Sequence, residues 1–413
     1  MIAPREALAV AAVVAAAAMY TLGSAGLSII TVIALVLPRV LRARTPALTL
    51  HTDKPARKLS PSDITLGAIW LAPGGGPNGD GERPDGGHEN AVQTIRVAIE
   101  MGVRELDTAP WYGSGASEER LGRALEELPD RLSSLVKVTT KIGRLVRSAD
   151  GHPVGRGLDA PDMPGALHSR HFQNDYTATG ATTSLEESLV RLGLPSVHCL
   201  RVHDPNDNSL NRREESTLGW VDEVAIATDD DGCCAGLRQL RRKGIIANVG
   251  LGMNVNLEAH QGVPDEAIRM IRSAPDGTFD SALLAGGWNL LSQAGAPTFA
   301  ECEKRGVSVH VAGVFASGLL VGGETYAYKR APPEKSEAAR QWRALAVEYG
   351  HELPAVAIAF AVLPKIVSRV VLGVATPEQV RQNLKWVEGA ARVDVEIFRE
   401  AKRRGLLAAE VPL

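Results

Sequence analysis

A chain of 413 residues with 45 Lys and Arg against 48 Asp and Glu has a formal net charge of −3, and so lacks the basic excess that holds a nucleic-acid backbone. Hydrophobic residues at 45% and charged residues at 23% supply a sizeable core and exclude a disordered chain. Four cysteines without CxxC or metal-like spacing are too few for a disulfide framework at this length, and they are read as reduced thiols.

The N-terminal part departs from this average. No charged residue lies between Ala7 and Pro38, and the run AVAAVVAAAAMYTLGSAGLSIITVIALVL exceeds the ~20 apolar residues that span a bilayer. Ala7–Leu37 is therefore read as a single membrane anchor, with a cleaved targeting peptide whose apolar core is Ala7–Tyr20 as the alternative. Arg39, Arg42, Arg44, Lys54, Arg57 and Lys58 follow the run, whereas Arg5 before it stands beside Glu6. The positive-inside bias thus places the C-terminal side in the cytosol. If the segment is removed, a cytoplasmic or organellar location is expected instead. Residues 1–44 form the anchor or targeting segment, 45–60 a polar linker and 61–413 the globular unit.

From Ile64 onward short apolar runs alternate with longer amphipathic stretches. The strand-like runs are Ile64–Leu71, Val103–Leu106, Val136–Thr139, Val197–Val202, Ile245–Gly250, Ser281–Leu284, Val307–Val311 and Arg369–Leu372. Helix-like stretches fall at Ala116–Leu128, Thr179–Leu192, Cys234–Lys243, Thr298–Lys304 and Pro377–Trp386; the first places Leu121, Ala124, Leu125 and Leu128 on one face. This alternation predicts a closed parallel (β/α)8 barrel of the TIM type, an α/β fold. An open doubly wound sheet is the competitor, but its GxGxxG turn after the first strand is missing. The stretch GGGPNGDGERPDGG reads as a loop.

Chemistry in such a barrel sits where the strands end. Asp107 stands at the end of the second strand, Tyr112 five residues on, Lys141 at the mouth of the third and His203 at the mouth of the fourth. Each alone has a dull reading as a cap, a packed ring, a solvated amine or a satisfied hydrogen-bonder. Together they suit carbonyl reduction. A phenol near its ordinary pKa of ~10 is a poor acid–base at neutral pH. A Lys beside it is expected to favour the phenolate, a carboxylate beyond the Lys to hold it charged, and a His to position the carbonyl oxygen. No metal is required, because a nicotinamide supplies the hydride.

The set Asp107, Tyr112, Lys141 and His203 matches in order and context the tetrad of the aldo-keto reductase superfamily. DTAPWYGSGASEERLGRAL, TTKIGRLV, SLEESLVRLGL and VHDP resemble its L-fucose, D-threo-aldose and galactose 1-dehydrogenase branch, and VGLGMN, LLAGGWNLL, AGVFASGLL and FREAKRRGLL do the same. The likeness runs from about Leu59 to Leu407. It implies an NAD(P)-dependent aldose dehydrogenase or carbonyl reductase acting on a small sugar or aldehyde, without nucleic acid or metal. It also implies cofactor contacts: Trp288 stacking on the nicotinamide, Asn254 holding its carboxamide, Ser317, Gly318 and Leu319 around the pyrophosphate, and Gln379 and Asn383 at the adenosine. The stretch GVATPEQVRQN, with Gly373 or Ala375 on the loop and Gln379 on the helix where NADP-preferring relatives often carry cations, favours NAD over NADP.

Two features depart from the pattern. Trp111 stands before the Tyr, where a smaller or different aromatic residue is common, and is expected to reshape the substrate pocket. The insertion Ser148–Asn174 is expected as a loop over the barrel mouth, its His152, His168 and His171 too irregular for a metal site. The other class of function compatible with the residues is a cofactor-binding regulatory or scaffold barrel like the β subunits of potassium channels, for which the apolar N-terminus would serve a membrane partner.

Overall fold

The computed structural model describes residues 48–51, 57–72, 87–157, 170–206, 221–255 and 263–413. Its strands are β1 (Ile64–Gly67), β2 (Glu105–Asp107), β3 (Lys137–Ile142), β4 (Arg144–Arg147), β5 (His171–Asn174), β6 (Cys199–His203), β7 (Asn248–Asn254), β8 (Ser281–Ala285), β9 (Ser308–Ala312), β10 (Thr325–Tyr326), β11 (Lys329–Arg330) and β12 (Val367–Gly373). Eight of them close into a parallel barrel in the order β1-β12-β9-β8-β7-β6-β3-β2. The predicted (β/α)8 architecture is thus present, each of the eight strand-like runs overlapping one barrel strand.

Helices cover the outside, so both faces of each strand are enclosed and polar and apolar residues alike are buried along β6. Their ends are fixed locally. Thr177 caps helix Ala178–Leu192 by accepting from the Gly180 N–H, and Gly193 ends it in a left-handed turn. Thr376 caps helix Pro377–Ala390 in the same way through the Gln379 N–H.

Some boundaries differ from expectation for physical reasons. The run Ile64–Leu71 pairs only as far as Gly67, and Ala68–Leu71 turn into a 3-10 helix that leads Trp70 to the barrel mouth. Ile245–Gly250 begins too early because Ile246 is buried from the turn before β7, so hydrophobicity alone extends the run backward. The expected polar linker is partly core: Leu48, Leu50 and Leu59 are buried, and Leu50 bridges to Pro364. β4, just before the insertion, pairs antiparallel with β5 at its end, Arg144 opposite Asn174. The expected anchor, Ala7–Leu37, lies outside the described residues, and among the described residues no helix is long and apolar enough to cross a membrane.

Candidate active site

The strands carry the four tetrad positions to one place. Asp107 closes β2, Lys141 lies within β3 and His203 closes β6. Tyr112 reaches them because the segment after it folds back through three consecutive left-handed residues, Gly113, Ser114 and Gly115 (φ 58, 51 and 93°). All four line a cavity of about 750 Å³, within the range of small-molecule sites.

The hydrogen bonds among them are specific. Lys141 Nζ donates to Asp107 Oδ1 at 2.5 Å, to the Thr108 carbonyl at 2.9 Å and to the Tyr112 hydroxyl at 2.9 Å. An ammonium has three protons and no lone pair, so all three are committed. The Tyr112 oxygen therefore accepts from Lys141, and its own proton is left for a group in the cavity.

Burial is the dominant force on Tyr112, Lys141 and His203. It pushes the Tyr112 phenol well above its ordinary value, reinforced by the Asp107 and Asp204 carboxylates and opposed by Arg144 and Arg201. The expectation that the phenol would sit below its ordinary value is thereby corrected. Lys141 still favours the phenolate, but Asp107 at contact distance offsets part of its charge, and desolvation prevails. Burial lowers Lys141, while Asp107 holds it up. Burial also takes His203 well below its ordinary value, with Arg144 and Lys141 adding to the effect. At neutral pH the imidazole is uncharged and can donate one hydrogen bond to a carbonyl oxygen without bringing a positive charge.

Several residues of this site were not picked out from the sequence. Asp204, in a left-handed conformation (φ 41°), accepts from the backbone N–H of Asn254 at 2.9 Å and from its side-chain amide at 3.1 Å. Asn254 thus lines the cavity with one amide proton given to Asp204 and its side-chain oxygen an acceptor. Arg144 stacks 4.9 Å from the Trp111 ring centre, and Phe172 of β5 lies 4.1 Å from it on another side. The β4–β5 pair is therefore what clamps Trp111 at the mouth. Trp70 and Tyr328, ring centres 6.2 Å apart, line the same cavity. The available signal was aromatic residues in the loops after the first and seventh barrel strands, which periodicity does not mark.

Tyr176 also belongs to the support. Its hydroxyl donates to the His203 carbonyl at 2.6 Å, and a Cβ at Gly143 (φ 107°) would lie 2.2 Å from its ring. Gly143→Ala is expected to cost about 2–4 kcal/mol of stability through overpacking and backbone strain. The loss should read as a lowered denaturation midpoint together with a lower kcat, because displacing Tyr176 moves His203. A variant as stable and active as the parent would show that the contact relaxes freely.

The remaining predicted positions divide. Ser317, Gly318, Gln379 and Asn383 line the cavity, as do Gly373 and Ala375. Ala316, Ser317 and Gly318 are successively left-handed (φ 51, 58 and 102°), a turn of the kind that lines up backbone N–H groups toward an anion. Leu319 is buried beside them and does not face the cavity. Trp288 is not at the cavity: it is 1% exposed, stacks on Phe360 at 5.0 Å and donates to the Phe360 carbonyl. The expected stacking on a nicotinamide is corrected to core packing: the chain turns at Gly286 (φ 79°), and the indole packs against Phe299 and Phe360. The cavity lining carries the kinds of group that would hold a nicotinamide dinucleotide. The tetrad, Ser317 and Gly318 of the left-handed turn, and Gln379, Asn383 and Trp386 of helix Pro377–Ala390 all line it. No group of three or more His, Cys, Asp or Glu that could hold a metal occurs among the described residues.

Residues 75–394 match the aldo/keto reductase family. The chain is 31% identical over 366 residues to a pyridoxal 4-dehydrogenase of Microbacterium luteolum, covering 85% of this chain and 98% of that protein. It is 30% identical over 306 residues to a D-threo-aldose 1-dehydrogenase of a Pseudomonas species, covering 72% of this chain and 83% of that protein. The solved structure of a glycerol dehydrogenase from Gluconobacter oxydans shares the fold, with a TM-score of 0.55, 22% identity, and coverage of 90% of this chain and 97% of that one. With the cavity geometry, these matches identify the chain as a member of the aldo/keto reductase family and an NAD(P)-dependent oxidoreductase.

Proposed function

We propose that this enzyme oxidises the anomeric carbon of an aldose in its cyclic hemiacetal form to a lactone, or runs the corresponding carbonyl reduction, with Tyr112 as the acid–base group. The observation that carries this reading is the triple donation of Lys141, which makes the Tyr112 oxygen an acceptor and leaves its proton for the substrate. A bound nicotinamide supplies or accepts the hydride. Everything else falls to the protein. His203, neutral, donates to the reacting oxygen; Lys141 steadies the phenol oxygen as its charge changes; Asp107 keeps Lys141 charged and oriented. Trp70, Trp111 and Tyr328 offer aromatic faces to a ring-shaped substrate at the mouth. A panel of aldoses with NAD and with NADP tests the reading, and steady turnover of at least one sugar is the expected result. Cofactor binding without turnover of any aldose, aldehyde or cyclic hemiacetal would instead favour the regulatory or scaffold barrel.

NAD is the proposed preference. Gln379 turns its side-chain oxygen to the Ala375 N–H at 2.7 Å, while Arg381 pairs with Glu378 at 3.2 Å and does not line the cavity. No cation of helix Pro377–Ala390 faces the cavity, so a 2′-phosphate would lack a charged partner there. Such a contact is worth ~1.5–3 kcal/mol, or about tenfold to a hundredfold in affinity. kcat/KM is expected to favour NAD, and Gln379→Arg to narrow or reverse the difference. A parent enzyme that prefers NADP tenfold would contradict this and point to Lys329, the cavity-lining lysine of β11, as the phosphate partner.

A further inference from the structure

Beneath the tetrad the barrel interior holds a second buried cation. Arg201, in β6, is 1% exposed, and its Nε donates to Asp107 Oδ2 at 3.1 Å. The Asp107 carboxylate is thereby divided, one oxygen taken by Lys141 and the other by Arg201. The rest of the guanidinium is fastened across the barrel. Nη1 donates to Ser281 Oγ at 3.0 Å and Nη2 to His310 Nδ1 at 2.8 Å. Arginine only donates, so His310 accepts through Nδ1 and is the neutral tautomer protonated at Nε2. Burial likewise takes His310 well below its ordinary value.

The strands are fitted to this arrangement. Lys141, Arg201, Gly250 and Ser281 are in register around the barrel wall. A Cβ at Gly250 would lie 2.7 Å from Arg201 Nη1 and 2.9 Å from its Cγ, and one at Gly252 would lie 3.3 Å from Lys141 Cε. The two glycines of VGLGMN thus leave room for the two cations, which a strand of ordinary β-branched residues would not.

We propose that Arg201 is a positioning residue that shares Asp107 with Lys141 and so sets the pH at which the Lys141–Tyr112 pair releases its proton. The inference rests on the acid–base reading of Tyr112 given above. Two cations facing one carboxylate leave an uncompensated positive charge in a low-dielectric interior. A guanidinium does not give up its proton, so the charge is relieved at the Lys141–Tyr112 pair. The other groups facing the cluster do not cancel this charge. Glu105 is paired with Arg369 at 2.9 Å, His203 and His310 are neutral, and Cys199 is pushed up to about 11 by burial and stays a thiol. Asp204 and Arg144, adjacent at the mouth, bring one charge of each sign. Arg201 acts to lower both Lys141 and Tyr112, in keeping with the geometry.

The test is the pH dependence of kcat/KM for sugar oxidation, where the pair must first lose its proton. Arg201→Gln keeps a donor toward Asp107 but removes the charge, and is expected to move the inflection up by about 1 unit. Activity at a fixed pH below the inflection then falls about tenfold, one pH unit being one tenfold step in the deprotonated fraction. Arg201→Lys keeps the charge and is expected to hold the inflection near that of the parent. If Arg201→Gln lowers the rate at every pH without moving the inflection, Arg201 is a structural residue and the proposal is overturned. Should that variant not fold, His310→Glu places a carboxylate against Arg201 Nη2 and is expected to shift the inflection in the same direction; an unmoved inflection there is equally decisive. Tyr112→Phe run alongside separates the two ideas. Activity retained in Tyr112→Phe removes the acid–base reading itself, whereas its loss combined with an unmoved inflection in the Arg201 variants removes only this inference.

Discussion

Tyr112→Phe is expected to lower kcat by about 10²–10⁴-fold, the usual worth of a positioned proton transfer. The magnitude follows from the isolation of the phenol. Its oxygen sits 2.9 Å from Lys141 Nζ, and its ring meets His203 edge-on at 5.9 Å between centres. Phe keeps the ring and its packing and removes only the hydroxyl. Cofactor affinity, measured by fluorescence titration, should therefore change little while turnover collapses. A Phe variant that retains the parent kcat would show that another group, or water, carries the proton.

Lys141→Met is expected to cost about 10²–10³-fold in kcat at neutral pH, comparable to removing one preorganised donor from a developing charge. The Tyr112 oxygen would lose its buried donor, and the phenol, already held up by burial, would rise further. The inflection of the pH–rate profile for oxidation should therefore move upward. Asp107→Asn should reduce activity by a different route: Lys141 and Arg201 would face a neutral amide, and Lys141 would lose its proton more readily. Leaving those charges uncompensated should also lower stability by about 3–5 kcal/mol. Because the groups form one hydrogen-bonded unit, the double variant should cost less than the product of the single effects. Strict multiplication of the two losses would mean that Asp107 and Lys141 act separately.

How much of this was legible in the sequence depends on what each feature responds to. The barrel strands were legible because parallel strands covered on both faces read as apolar runs, and Val197–Val202 and Ser281–Leu284 nearly coincide with β6 and β8. The tetrad was legible because Asp107, Lys141 and His203 stand at or near the ends of predicted strands, with Tyr112 five residues after Asp107. Trp288 was misplaced because its position along the chain suggested the mouth, whereas the turn at Gly286 carries the indole into a stack with Phe360, 72 residues away in sequence. Arg201 was illegible for a related reason. A charged residue inside an apolar strand reads as a surface position until its partners Asp107, Ser281 and His310, drawn from three other strands, are seen together. Hydrophobicity likewise gave no notice that Phe172, across the long insertion, would pack against Trp111. Local pattern carries the frame, while contacts that join distant segments decide the charge balance and the shape of the pocket.

The central claim is that hydride leaves the anomeric carbon of an aldose while Tyr112 takes the hydroxyl proton. It is tested most directly by incubating the enzyme with NAD and a panel of aldoses deuterated at C1 and locating the label by mass spectrometry and NMR. The account predicts that, for at least one sugar, the deuterium appears in the reduced nicotinamide in step with lactone formation, and that Tyr112→Phe suppresses both together. A reduced cofactor without label, or a sugar that keeps its deuterium while NAD is consumed, would contradict it.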